Sequence, residues 1–233
     1  MSGILVAIDG PAASGKSTTA RSVAVRLGYC HLNSGLLYRS IAWCSLRDGW
    51  IDAPGRFGPE LERLDLTLER RDREFLVLVN GEAAGRGLLT APETARRASR
   101  VAAMPEVRNR VLHVLRVTGE EGGVTCDGRD IGTVVFPAAE LKIFLVASAH
   151  ERARRRILEQ GGDPAGPAFY EEVRSLEERD LRDANRSLAP MIPAADAIQI
   201  DTTELSPDEV VDRIVALALE RGAEPVDECP DFA

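Results

Sequence analysis

The sequence predicts an α/β protein built on a parallel sheet, and three observations lead there. The apolar run Ile4-Leu5-Val6-Ala7-Ile8 is continuous, as in a strand buried on both faces. Directly after it come the glycine-bounded stretch Gly10-Pro11-Ala12-Ala13-Ser14-Gly15-Lys16-Ser17 and a helical pattern from Thr18 to about Leu27, which gives the order strand, loop, helix. Later apolar runs at 124–126, 141–146 and 197–200 alternate with helical stretches. A chain of 233 residues, 44% hydrophobic and 28% charged, suffices for one such domain with room for insertions.

The stretch from Gly10 to Ser17 has the spacing G-x-x-x-x-G-K-[ST] of a P-loop. Glycines at both ends let the backbone turn its N–H groups inward around phosphate oxygens, and the helix N-terminus behind them adds partial positive charge. Lys16 is placed to reach the β- and γ-phosphates, and the Ser17 hydroxyl to ligate Mg²⁺. Among 29 Lys and Arg residues only Lys16 and Lys142 are lysines, so a sequence that prefers arginine keeps a compact ammonium here.

A net charge of −8 argues against a nucleic-acid polymer as partner, which needs a broad basic surface. The arginines are nonetheless clustered, as a local phosphate site in an acidic protein requires. No apolar run approaches a membrane span, and the chain enters its first strand without a leader pattern, so a cytoplasmic protein with no membrane partner is expected. Cys30, Cys44, Cys126 and Cys229 show no metal or redox spacing and read as reduced thiols. His31, His113 and His150 form no cluster, which disfavours a transition-metal site.

In order along the chain, the first helix ends at Gly28, and Tyr29 to Leu32 form a short strand. Ser34 reads as the N-cap of a helix from Gly35 to Leu46 that carries Arg39. Residues 52–60 are turn-rich and interrupt the alternation. Leu64–Leu68 and Phe75–Val79, followed by Asn80-Gly81, predict a small antiparallel hairpin inside an inserted subdomain. Helices follow from Pro92 to Ala103 and from Pro105 to about Gly119. A strand at 124–126 leads into Asp127-Gly128-Arg129-Asp130-Ile131-Gly132-Thr133, a glycine-flanked charged loop at the carboxyl end of a parallel strand, where α/β proteins bind ligands.

The strand at 141–146 precedes Ser148, which caps a helix bearing Arg152, Arg154, Arg155 and Arg156. That helix is either a basic surface or an arginine lid over phosphates, with the glycine- and proline-rich segment 161–167 as its hinge. A charged helix from Phe169 to about Asp183 carries Arg179, Arg182, Asp183 and, just past its end, Arg186 at three- and four-residue spacing, on one face. The last strand, 197–200, and a closing helix, 207–221, complete the domain, and the acidic tail 222–233 reads as disordered.

The chain resembles the bacterial-type cytidylate kinases, which are nucleoside monophosphate kinases, from Ile4 to about Leu219. The residues that carry the likeness are Ile8-Asp9-Gly10-Pro11 into the P-loop, Ser34-Gly35-Leu36-Leu37-Tyr38-Arg39, Val101-Ala102-Ala103 leading to Val107-Arg108, Asp127 to Pro137, Lys142 to Leu145, and Arg179-Asp180 through Asn185-Arg186. The Asp-Gly-Arg-Asp loop argues against an adenylate or shikimate kinase, and no Asn-Lys-x-Asp element of a GTP switch is present.

The resemblance implies the P-loop NTPase fold: a parallel five-stranded sheet flanked by helices, with a nucleoside-monophosphate-binding insert and a lid. The kinase domain would span 1–221, with core 1–54 and 102–221, insert about 55–101 and lid about 148–167. The reaction implied is transfer of the γ-phosphoryl of ATP to CMP or dCMP, with Mg²⁺ held through Ser17. Residues 10–18, namely Gly10, Pro11, Ala12, Ala13, Ser14, Gly15, Lys16, Ser17 and Thr18, would bind ATP. Ser99, Arg108 and Asp130 would meet the base, Ser34, Arg39 and Arg129 the acceptor phosphate, and Arg179 and Asp183 the ribose with Arg186 close by. Lys16, Arg129 and the lid arginines Arg152, Arg155 and Arg156 would be catalytic, in a chain expected to act as a monomer. Two departures stand out: Leu88-Leu89-Thr90 replaces an Ile-Arg-Thr segment, and Pro-Ala-Ala-Ser replaces the common Pro-Ser-Gly-Ala of the loop.

Overall fold

The computed structural model describes residues 3–226 except 51 and 54. Strand β1 (Leu5–Asp9) leads through the glycine loop into α1 (Lys16–Leu27), then β2 (Cys30–Asn33) and α2 (Ser34–Arg47). Next come α3 (Phe57–Arg63), β3 (Leu66–Arg71), β4 (Glu74–Val79), β5 (Glu82–Ala83), α4 (Arg86–Thr90), α5 (Pro92–Val101) and α6 (Pro105–Gly119). Strand β6 (Val124–Asp127), a π-helical turn (Ile131–Val135), β7 (Leu141–Val146), α7 (Ala149–Glu159), α8 (Ala168–Ala184), β8 (Ile198–Asp201) and α9 (Pro207–Glu220) complete it.

Five parallel strands form the centre of the sheet in the order β2-β6-β1-β7-β8. All five residues of β1 are buried, as the unbroken apolar run requires. Period-two alternation splits them between two cores. Leu5 and Ala7 pack with Leu37, Ile41, Val107, Val111 and Leu115 from α2 and α6. Val6 and Ile8 face Val23 and Leu27 of α1 and Ile214 and Ala218 of α9. Helix α9 begins in a full capping box between Ser206 and Glu209.

The predicted hairpin is present, but it is not a separate sheet. Strand β4 joins the edge of β2 in parallel through one pair, His31 with Glu74, and the His31 N–H donates to the Arg73 carbonyl at 2.8 Å. Leu66, Phe75, Val77 and Val79 share the core of α2, which ties the insert to the main domain. The helices α3 and α4 and the π-helical turn carry too little periodicity to be read from sequence. Ser34 is the first residue of α2, not its cap, because Asn33 takes the extended N-cap position.

Two expectations about the periphery are revised. The chain beyond Gly222 is docked as far as Val226: Ala223 is buried, and the Val226 N–H donates to the Leu27 carbonyl at 2.9 Å. Gly28 makes this possible, since a Cβ there would lie 1.6 Å from the Val226 carbonyl oxygen. Residues 227–233 lie outside the described residues. Cys44 and Cys126 are free and buried, but Cys30 is disulfide-bonded. Disulfide formation depends on spatial approach, which sequence spacing does not report.

Candidate active site

The carboxyl ends of β1, β2 and β6 open on a cleft of about 1280 Å³. At its floor β1 gives way to Gly10 at φ 146, where a Cβ would meet the Leu145 carbonyl oxygen of β7 at 2.2 Å, so only glycine passes. The loop turns through Ala13 at φ 59 and Gly15 at φ 87 into the N-terminus of α1. Lys16 is folded onto its own loop, its Nζ donating to the Pro11 carbonyl at 2.5 Å and to Ser14 Oγ at 3.3 Å. Burial, with Arg129 close by, pushes the Lys16 pKa well below its usual value. Ser17 Oγ donates to Asp127 Oδ2 at 2.6 Å and accepts from Asn33 Nδ2 at 3.1 Å, and His31 Nε2 holds Asp127 Oδ1 at 2.7 Å.

Arginines crowd the cleft. Arg39 from α2, Arg129 from the loop after β6, Arg156 from α7 and Arg179 from α8 all face it. Burial lowers the Arg179 pKa to about 10, with Arg129 and Arg39 adding to the shift, and burial with Arg129 lowers that of Arg39. Arg179 Nε is buried without a hydrogen-bond partner, and its ion pair with Asp183 spans 4.0 Å. Cations this close repel one another, and an anion bound among them relieves that repulsion.

In the same cleft Asp130 pairs with Arg108, whose Nη1 donates to the Ala102 carbonyl at 3.1 Å and whose guanidinium lies 5.8 Å from the Tyr38 ring centroid. Asp183 accepts from Arg129 at 3.2 Å, from Ser99 Oγ at 3.4 Å and from Arg186. The loop bearing Arg129 and Asp130 is fixed from below by Asp9, whose carboxylate accepts from the Ile131 and Gly132 N–H groups, both at 2.8 Å.

A family described as cytidylate kinase matches residues 6–220. The chain belongs to the cytidylate kinase family. The cytidylate kinase of Limosilactobacillus fermentum is 44% identical over 216 residues, covering 91% of this chain and 94% of its own. That of Pseudomonas fluorescens is 42% identical over 221 residues, covering 91% and 93%. A shikimate kinase from Bacteroides thetaiotaomicron superposes with a TM-score of 0.50 at 13% identity, covering 93% of this chain and 98% of its own, and so shares the fold.

The cleft of this cytidylate kinase family member gathers Ala12 to Thr18, Ser34, Arg39, Ser99, Arg108, Arg129, Asp130, Arg155, Arg156, Arg179, Asp183 and Arg186. Gly10 and Pro11 form the turn beneath and do not line it. Ser34 Oγ donates to the Asp127 carbonyl at 2.7 Å, so the hydroxyl ties α2 to the end of β6.

Arg152 departs from expectation. It does not line the cleft. It is buried, 2.5 Å from Asp180, and donates to the carbonyls of Ala12 at 3.1 Å and Ala147 at 3.0 Å. Its position on α7 turns it inward to the base of the helix, whereas Arg155 and Arg156 face outward. Arg155 pairs with Glu151 at 2.8 Å and Thr202, and Arg156 lies 3.0 Å from Glu172. Leu89, where the family segment has arginine, is buried on α4.

Asp127, read from the sequence as part of the charged ligand loop, lines the cleft, as does Tyr38 of the Ser34–Arg39 segment. His31, Asn33, Arg154 and the loop from Thr202 to Pro207 line it as well and had no site role in the sequence reading, because only the fold brings them there.

Proposed function

We propose that this chain transfers the γ-phosphoryl group of ATP to CMP and dCMP, giving CDP and dCDP. The observation that carries the reading is the buried Asp130–Arg108 pair in the same cleft as the phosphate loop, a cleft also lined by Arg39, Arg129, Arg156 and Arg179. A buried carboxylate accepts from the cytosine N4 amine, while arginine and the Ser99 hydroxyl donate to N3 and O2. Family membership supports the same substrate.

The acceptor oxygen needs no strong base, since its phosphate has a second pKa of about 6. What the protein supplies is alignment and positive charge. Arg39 and Arg129 hold the acceptor phosphate, Lys16 leaves Pro11 for the donor phosphates, and Arg155 and Arg156 exchange Glu151 and Glu172 for phosphate oxygens. Asp183 and Arg179 orient the ribose, and Arg186 steadies Asp183.

The donor set fits Mg²⁺. Ser17 Oγ donates its proton to Asp127 and accepts from Asn33, which leaves one oxygen lone pair for the ion. Among the described residues no cluster of three or more His, Cys, Asp or Glu could hold a metal, so the ion would take most of its ligands from water and phosphate. Bound there, Mg²⁺ would neutralise charge on the β- and γ-phosphates.

The reading makes ATP and CMP or dCMP the partners of a cytoplasmic monomer. Among the described residues no helix is long and apolar enough to cross a membrane. The test is ADP release with CMP, dCMP, UMP and AMP in parallel, with and without EDTA. Fast turnover on CMP and dCMP, slow on UMP and lost with EDTA, supports the reading, and turnover on AMP sinks it.

A further inference from the structure

The phosphate loop is joined to α8 by a contact that the phosphoryl-transfer chemistry does not use. Arg152 Nη1 donates to the Ala12 carbonyl at 3.1 Å and lies 2.5 Å from Asp180 Oδ2. The Ala12 N–H points at Asp180 Oδ1 at 3.4 Å, which closes a ring of two side chains on the N–H and carbonyl of one loop residue. Around the ring, Ala12, Ala153, Val173 and Leu176 form a small apolar cluster separate from the two main cores, with Ala13, Ala149 and Phe169 against it. The alanines at 12 and 13, where the loop departs from its common sequence, supply the apolar side of this contact.

Helix α8 faces two ways. Asp180 reaches the loop, while Arg179 beside it and Asp183, one turn on, face the acceptor end of the cleft. At 5% exposure Arg152 is shielded from water, and its partner Asp180 is half-buried, so the pair fixes the two side chains against the loop. Phosphates entering the loop bind N–H groups on the same short stretch of backbone as Ala12. Any shift of the Ala12 peptide is then imposed on Asp180 and on the α8 residues that hold the acceptor.

We propose that Arg152 and Asp180 are positioning residues that couple occupancy of the phosphate loop to the acceptor end of the cleft, so that each nucleotide strengthens binding of the other. The inference rests on the ATP and CMP reading given above. It predicts a coupling factor within the range typical of linked sites, about 5- to 150-fold, and equal in both directions.

The experiment is calorimetric titration of CMP into the full chain, without and with a saturating non-hydrolysable ATP analogue and Mg²⁺, then the reverse titration. The variants are Arg152→Lys and the nearly isosteric Asp180→Asn, each with a melting curve. Wild type should bind CMP at least fivefold tighter with the analogue present. Both variants should bring that factor within twofold of one, while each nucleotide alone binds within about threefold of wild type. A purely structural role would instead weaken both nucleotides alone and leave the factor unchanged, which overturns the proposal. A wild-type factor near one also overturns it and leaves the substrate reading standing. No CMP binding by wild type removes the substrate reading and this inference together. Should Arg152→Lys melt below the assay temperature, Asp180→Asn decides.

Discussion

The carboxylate of Asp183 accepts the Arg129 Nε–H at 3.2 Å although the two residues lie 54 positions apart. Asp183 is 1% exposed and binds Arg186 and Ser99 as well, so one buried anion sets the placement of groups from α5, α8 and the loop after β6. Without it, those cations repel one another in a closed space.

Replacing that anion by its neutral isostere tests the point. Asp183→Asn should lower kcat/KM for CMP by a hundredfold or more. Breaking a buried pair costs about 3–5 kcal/mol, and partial exposure of Arg129 places this one at the lower end. Steady-state kinetics and urea unfolding measure the two effects, and unchanged kinetics would show that Arg129 is held by other contacts.

Lys16 illustrates a conflict between function and stability. A buried ammonium among arginines is costly until phosphates arrive. Lys16→Met removes the charge and keeps the stem, so turnover should fall about 10³-fold while the melting temperature of the ligand-free chain rises. A lower melting temperature would show that its bonds to Pro11 and Ser14 outweigh desolvation.

Asp9 gives a pH signature. Burial raises its pKa from 3.8 to about 6, against the lowering effect of its two N–H contacts. The folded state therefore keeps a proton that the unfolded chain has released. The stability this contributes is complete below pH 3.8 and lost as pH rises through about 6, amounting to about 3 kcal/mol. Turnover cannot report it, because the acceptor phosphate titrates in the same range. Urea unfolding of wild type and Asp9→Asn between pH 4 and 7 can. Wild type should lose ground steadily against the variant, and a constant difference would mean that the carboxyl is ionised throughout.

Base recognition is tested at Asp130. Asp130→Asn keeps the shape but loses the charged acceptor for a base amine. The ratio of kcat/KM for CMP over UMP should fall at least tenfold, in line with about 1–3 kcal/mol for a specific base contact. An unchanged ratio would place discrimination elsewhere in the cleft.

Much of the molecule was legible in the sequence, because local signals agreed with the global arrangement. The run from Ile4 to Ile8 had to be a central strand, and the glycines at 10 and 15 had to bend a loop into a helix. The spacing of Arg179 and Asp183 put them on one side of α8, with Arg186 just past its end, but Arg182, expected on the same face, is exposed and lies 3.9 Å from Glu178 instead of facing the cleft. What the sequence left open was set by distance in space. Four arginines cluster within residues 152–156, and nothing local says that Arg152 turns inward to the Ala12 carbonyl while Arg155 and Arg156 line the cleft. Periodicity gives the face of a helix but not what lies against that face. The pairing of Arg108 with Asp130, the joining of the hairpin to the edge of β2 and the docking of Val226 over Gly28 likewise depend on which elements pack together. The tertiary structure alone decided these, because an ion pair or a close backbone approach forms between neighbours in space, and those neighbours are remote in sequence.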